Sequence, residues 1–120
     1  MTDTDAATIA ALLEELLEEL KEVDSAAYDR ITSIEFEVRS LNIYEDETAQ
    51  DIIQGCIQRA IAARPDNWIM SMWTCPAGWQ AMIRRGRRGY TDPEYMHIGE
   101  DDTPAAAILA AYIEAKRASR

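Results

Sequence analysis

The spacing of apolar residues changes twice along this chain, and that limits the folds open to it. From Ile9 to Ile61 apolar residues recur every three or four positions, as on one face of a helix. From Trp68 to Arg84 they alternate with polar ones, as on a strand. From Ala105 the helical spacing returns. Helices on both sides of a hairpin exclude an all-α or all-β fold and define an α+β one. With 120 residues, 48% of them apolar, the chain is long and apolar enough for one domain around one core. Residues 1–44 form an acidic helical half. Residues 45–120 form a helix-β-β(-β)-helix half.

In the first half, Ile9, Leu13, Leu16, Leu20 and Val23 step by four, three, four and three, and Leu12 and Leu17 widen the stripe. This predicts an amphipathic helix over about residues 5–23, capped by Asp3 or Thr4. Ala27, Ile31, Ile34, Val38 and Leu41 repeat the spacing behind Asp24 or Ser25 as cap. The stretch Ile34 to Arg39 also alternates as a strand would. The helix template misplaces only Phe36, whereas the strand template leaves Ile31 and Leu41 unexplained, so a helix is the reading adopted. No glycine or proline interrupts residues 2–54. The two helices therefore either fold back as a hairpin or offer their stripe to a second copy. A homodimer through residues 9–41 is the expectation, because a stripe this wide needs a wide apolar partner.

In the second half, Asp46 caps a third helix reaching about Ala63, with Ala49, Ile52, Ile53, Cys56, Ile57, Ala60 and Ile61 on its core side. Gly55 within it suggests close packing. A hairpin spans residues 68–84. Trp68, Met70 and Met72 share one face of its first strand, and Ile69, Ser71 and Trp73 the other. Pro76-Ala77-Gly78 is the turn. Trp79, Ala81 and Ile83 alternate with Gln80, Met82 and Arg84. A third short strand runs through Tyr95 to Ile98. Asp102 or Thr103 caps the last helix, with Pro104 where its missing N–H costs nothing. Ala105, Ile108, Leu109, Tyr112 and Ile113 pack that helix on the sheet.

Charge is divided unevenly. The formal net charge is −10, from 22 acids and 12 bases. Residues 1–51 carry −12 and the rest +2. Bulk charge of this sign repels nucleic acid. No apolar run approaches the ~20 residues of a membrane helix. The acidic start, Met1-Thr2-Asp3-Thr4-Asp5, is unlike a signal peptide, which points to the cytosol. Cys56 and Cys75 are read as reduced core residues. With His97 as the lone histidine and no close ligand pairs, no metal site is expected. Glu100, Asp101 and Asp102 beside His97 are read as serving the N-terminus of the last helix. No phosphate-binding glycine loop, zinc-protease motif or nucleophile triad is present, so neither a cofactor nor an enzyme is expected.

Two segments stand out as contact surfaces. Glu14, Glu15, Glu18, Glu19 and Glu22 crowd the polar side of the first helix, and Glu35 and Glu37 extend the charge into the second. Like charges one turn apart cost a few tenths of a kcal/mol per pair, which hints at use. Arg84, Arg85, Arg87 and Arg88, with Tyr90 and Trp79 nearby, form a basic connection carrying Gly86 and Gly89. Arginines beside aromatic rings can grip phosphate and stack bases. Trp73, on the hairpin face opposite Trp68, is the candidate anchor for that alternative surface.

The segment from Trp73 to Ala115 reads WTCPAGWQAMIRR and then GEDDTPAAAILAAYIEA. Trp79 after Gly78, and Thr103-Pro104-Ala105 leading into alanines, resemble the tail of small phage-encoded proteins of the ABA-sandwich kind. They are also similar to the sheet-plus-helix of HicB-type antitoxins. The likeness covers about a third of the chain and implies a phage or mobile-element origin. The order of elements from residue 47 is similar to a double-stranded-RNA-binding domain. That family places lysines at the start of its last helix, where this chain has Asp101-Asp102-Thr103-Pro104-Ala105, which argues against direct nucleic-acid binding.

In size and charge the chain is similar to acidic anti-CRISPR and other anti-defence proteins, which present carboxylates where phosphates would sit. The expectation is a non-enzymatic protein that binds a host protein with a basic surface, of the nucleic-acid-enzyme kind. The seven glutamates would occlude its groove in the host cytosol. The alternatives are a nucleic-acid-binding or regulatory module using the Arg84–Arg88 segment, and an oligomerising phage accessory protein.

Overall fold

The computed structural model describes residues 6–37, 47–64, 66–86 and 92–119, with side chains from 12–33, 51–64, 66–86 and 92–119. The elements are α1 (Ala6–Val23), α2 (Ser25–Glu37), α3 (Glu47–Ala62), β1 (Trp68–Cys75), β2 (Gly78–Arg85), a 3-10 turn (Pro93–Tyr95), β3 (Met96–Asp101) and α4 (Pro104–Ala118). The fold is α+β, as the change of period requires.

Leu13, Leu17 and Leu20 form the buried centre of the α1 stripe, with Leu12, Leu16 and Val23 half-buried at its margins. Asp24 separates α1 from α2. Its N–H still donates to the Leu20 carbonyl at 2.7 Å, while its Oδ1 accepts from the Ala27 N–H at 3.2 Å. One residue therefore closes the first helix and caps the second. Residues 25–37 are helical, so the strand alternative fails there. Val38, Leu41, Asp46, Asp3 and Thr4 lie outside the described residues. Ala27 and Ile31 are buried, and α1 packs on α2 and α4 while α2 packs on α3. Within one chain, Leu13, Leu17, Leu20, Ala27 and Ile31 of the stripe read as a dimer seam are buried, while Leu12, Leu16 and Val23 stay half-buried.

Ile53, Cys56, Ile57 and Ile61 turn the core side of α3 inward. Gly55 does not mark close packing: a Cβ built there meets nothing within 4 Å. The sheet is an antiparallel meander in the order β1-β2-β3. Met70 pairs with Ile83 and Met72 with Ala81. Ala81 pairs with Gly99 and Ile83 with His97. The helices cover this face. The opposite face carries Ile69, Trp73, Met82, Met96 and Ile98 and, among the described residues, has no helix on it. The third strand starts one residue later than expected and runs to Asp101, because Asp92 accepts the Glu94 N–H at 3.0 Å and holds residues 93–95 in the 3-10 turn.

Thr103 caps α4, its Oγ1 accepting from the Ala106 N–H at 3.2 Å. The sequence suggested that α4 lies on the sheet by one side. Instead it is enclosed nearly all round, with residues 105–109, 111–113 and 115 buried. It packs against β2, β3, α1 and α3. A helix apolar on every side has to sit at the centre of its fold. Alanines make this geometrically feasible, because their short side chains let neighbouring backbones approach. Gly99 completes the contact with β3: a Cβ there would fall on the Ala107 carbonyl and 2.7 Å from the Ala111 nitrogen.

His97 is 5% exposed on β3. Its Nε2 accepts from Arg85 Nε at 2.8 Å, and its Nδ1 faces Glu114 Oε1 at 3.9 Å. Burial, and then the Arg85 guanidinium, hold the imidazole below its ordinary pKa, and Glu114 opposes them. Below about pH 6.5 the unfolded chain takes up a proton that the folded chain refuses. Stability is therefore full above that pH and declines as pH falls, until the folded imidazole also protonates. Melting midpoints measured from neutral to mildly acidic pH should fall more steeply for the parent protein than for His97→Gln. Equal slopes would show that His97 is not the titrating group.

Candidate functional site

The buried Leu13, Leu17 and Leu20 fix the rotation of α1. At 100° per residue, Glu14, Glu15, Glu18 and Glu22 then stand on its outer side, and all four are exposed. Glu19 sits at the margin, where its Oε1 accepts from Arg117 Nη2 of α4 at 3.0 Å. Lys21 is the only base on α1. Its Nζ lies 5.5 Å from the centroid of the Tyr28 ring, so the cation is drawn toward α2. Among the described residues, Glu14, Glu15 and Glu18 have no cation within ion-pair distance. Glu15, Glu18, Glu19, Lys21 and Glu22 border one open depression. Glu35 and Glu37 fall on the last turn of α2, and their side chains lie outside the described set.

The spacing of these charges bears on what they can imitate. Residues 14 to 22 span about 12 Å of helix rise, so the five carboxylates, alternately about 1.5 and about 4.5 Å apart along the axis, average about one per 3 Å. One strand of duplex DNA presents a phosphate about every 3.4 Å.

The basic alternative is not one patch where it is described. Arg84 and Arg85 are strand residues, because β2 runs one residue past the expected end, and adjacent strand residues point to opposite faces. Arg85 turns inward to His97, donates to the Glu94 carbonyl at 3.2 Å and lies 4.7 Å from the Tyr95 ring centroid. Arg84 points outward between Ile69 and Met96 in the register. Arg87, Arg88 and Tyr90 lie outside the described residues.

The three tryptophans divide by face. Trp68 is buried, its ring 6.1 Å from Tyr112 in an edge contact. Trp79 is half-buried. Trp73 stands on the uncovered face, 36% exposed, and its Nε1 donates to Gln80 Oε1 at 2.8 Å. The Gln80 amide in turn donates to Glu100. Glu100 therefore belongs to the uncovered face and does not serve the α4 N-terminus, where Thr103 does the capping. Asp101 accepts the Asp102 N–H at 2.7 Å, and burial pushes its carboxyl upward. Cys56 is buried on α3 and Cys75 ends β1, both as free thiols. Among the described residues, no group of three or more His, Cys, Asp or Glu is placed to hold a metal ion. None of their helices is long and apolar enough to cross a membrane.

These features define a small α+β protein with a three-stranded meander, an enclosed C-terminal helix and an acid-faced N-terminal helix. Compared with known proteins, the chain matches no family model, no curated protein and no solved structure.

One constellation was not legible as a site from the sequence. Arg30, Arg59 and Arg64 come together at a cleft between α2, α3 and α4. They are scattered over 35 positions, and no local motif joins them. The available signal was their rarity: Arg30 is one of three bases in the acidic half.

Proposed function

We propose that this is a non-enzymatic protein of phage or mobile-element type that blocks a host protein by occupying its basic nucleic-acid groove. Anti-CRISPR and other anti-defence inhibitors are the kind of protein meant, and the host cytosol is where it would act. One observation carries the reading. Glu14, Glu15 and Glu18 are exposed, without a cation among the described residues, on a helix whose other side is locked into the core. A rigid helix holds carboxylates at fixed spacing, so little conformational freedom is lost on docking. The supporting comparison is the mean axial spacing of Glu14, Glu15 and Glu18, three carboxylates over about 6 Å of rise, close to the phosphate spacing of one nucleic-acid strand. Glu22 extends the same face, and Glu35 and Glu37 would add to the charge from α2. Glu19, held by Arg117, positions α1 against α4.

The test follows from this division. A triple variant, Glu14→Gln, Glu15→Gln and Glu18→Gln, removes three charges at little cost in helix propensity and leaves the Glu19–Arg117 pair intact. Host proteins retained on the immobilised parent protein should be nucleic-acid-binding proteins, and duplex DNA should displace them. Against a partner so identified, the triple variant should associate roughly tenfold or more slowly at low salt, with a smaller change in dissociation. The difference should shrink as salt rises. Unchanged binding by a variant of normal helical circular dichroism would sink the reading. The Trp73 face would then be the surface to test.

A further inference from the structure

The cleft between α2, α3 and α4 is about 430 Å³, within the size range of small-molecule sites. Its floor is apolar, formed by Ala27, Cys56, Ala60 and Tyr112. Its rim is cationic, although the chain as a whole is strongly acidic. Arg30 reaches it from α2, and Arg59 from α3. Among the described residues neither has a carboxylate within ion-pair distance. In a chain with 22 acids and 12 bases, two such arginines on one cleft call for an anion from elsewhere.

The other charged residues of the lining are already engaged. Arg64 donates to both carboxylate oxygens of Asp66, at 2.9 and 2.8 Å, and its guanidinium lies 3.7 Å from the centroid of the Trp68 ring. This pairing holds the Asp66 carboxyl below its ordinary range. Asp24 accepts from the Tyr112 hydroxyl at 2.6 Å, and Lys116 Nζ lies 3.9 Å from the same oxygen. Both carboxylates are thus answered within the protein, which leaves the charge of Arg30 and Arg59 over the cleft. Burial pushes the Cys56 thiol upward, and both arginines act on it in the opposite sense, so their fields meet at the floor. Planar guanidinium groups suit the paired oxygens of a phosphate.

We propose that this cleft is a binding site for a small phosphate monoester, with Arg30 and Arg59 holding the phosphate and the apolar floor receiving the carbon part of the ligand. The site is separate from the α1 carboxylates and does not depend on them.

Amide NMR titration tests the proposal with three probes: inorganic phosphate, ribose 5-phosphate and citrate. Phosphate and ribose 5-phosphate should give saturable shifts at Ala27, Cys56 and Ala60, with ribose 5-phosphate the tighter. Arg30→Gln and Arg59→Gln should each weaken binding roughly tenfold or more, the loss of one charge-assisted contact. Both residues are exposed, so the melting midpoints of these variants should stay near the parent value. The Glu14/Glu15/Glu18 triple variant should bind ribose 5-phosphate as the parent does, which separates this site from the docking face. Absence of saturation, or equal binding by the arginine variants, would overturn the proposal. Citrate binding as tight as ribose 5-phosphate would overturn the assignment to phosphate.

Discussion

Gly99→Val is expected to be the most damaging single substitution in the described fold, costing about 4 kcal/mol or more. The new side chain would strike backbone, the Ala107 carbonyl and the Ala111 nitrogen, and no rotamer can relieve that contact. The only relief is to separate α4 from β3. That loosens the helix against which β2, α1 and α3 also pack. Domains of this size hold about 5–15 kcal/mol in all, so the variant should unfold at much lower urea and populate unfolded chains on modest heating. Gly99→Ala should cost nearly as much, about 3 kcal/mol, since the Cβ itself is the clashing atom. Gly55→Ala is the opposite case. It adds a methyl to open space in the middle of α3 and should stabilise by about 0.5–1 kcal/mol. A urea midpoint for Gly99→Ala equal to the parent's would refute the close approach of α4 to the sheet.

Asp24→Ala should be the next largest loss, about 3 kcal/mol. It removes the cap of α2, which costs about 1 kcal/mol. It also leaves the Tyr112 hydroxyl without its acceptor on a residue only 2% exposed, which costs about 1–3 kcal/mol. Burial, and then the hydrogen bond to Asp24, hold the Tyr112 phenol far above its ordinary pKa, so the hydroxyl remains a donor at every working pH. Tyr112→Phe alone should cost about 1 kcal/mol, because the half-buried carboxylate keeps the Ala27 N–H and has Lys116 nearby. In the double variant no unanswered hydroxyl is left behind. Its loss should therefore fall short of the sum of the single losses by about 1 kcal/mol or more. Strict additivity in urea unfolding would show that the Asp24–Tyr112 contact contributes nothing of its own.

Much of the fold was legible because apolar period reports secondary structure directly. The hairpin appears within one residue of where alternation places it, and the helix reading of residues 25–37 survives because one misplaced Phe36 weighs less than two unexplained apolar positions. The division of β1 and β2 into two faces was also legible, since strand neighbours must point to opposite sides, but which face turns inward was not. Nor was the position of α4. Ala105 to Ala111 reads as a one-sided helix if alanine is treated as a weak apolar residue. The absence of any polar side chain from Ala105 to Ala111 was the signal that every side is covered. The role of Gly99 was not legible, because a glycine in a strand acquires meaning only from what lies above it. The same holds for the site residues. The exposure of Glu14, Glu15 and Glu18 follows from helix geometry alone, whereas the engagement of Glu19 by Arg117 and the meeting of Arg30 with Arg59 depend on contacts between distant segments.

The central place of α4 has a bearing on how the chain assembles. The sheet is built from neighbours in sequence, so its hairpins can close locally and early. The acidic helices pack on each other and α2 on α3, but α1 also needs the distant α4. Asp24 must wait for Tyr112, 88 positions later, before the N-terminal half can dock. During synthesis that half emerges before α4 and remains without its covering helix until Pro104–Ala118 has been made. Its surplus of carboxylates keeps nascent chains apart in that interval, when the leucine stripe of α1 is still open to water. The charges that would serve recognition in the finished protein therefore also restrain aggregation of the unfinished one.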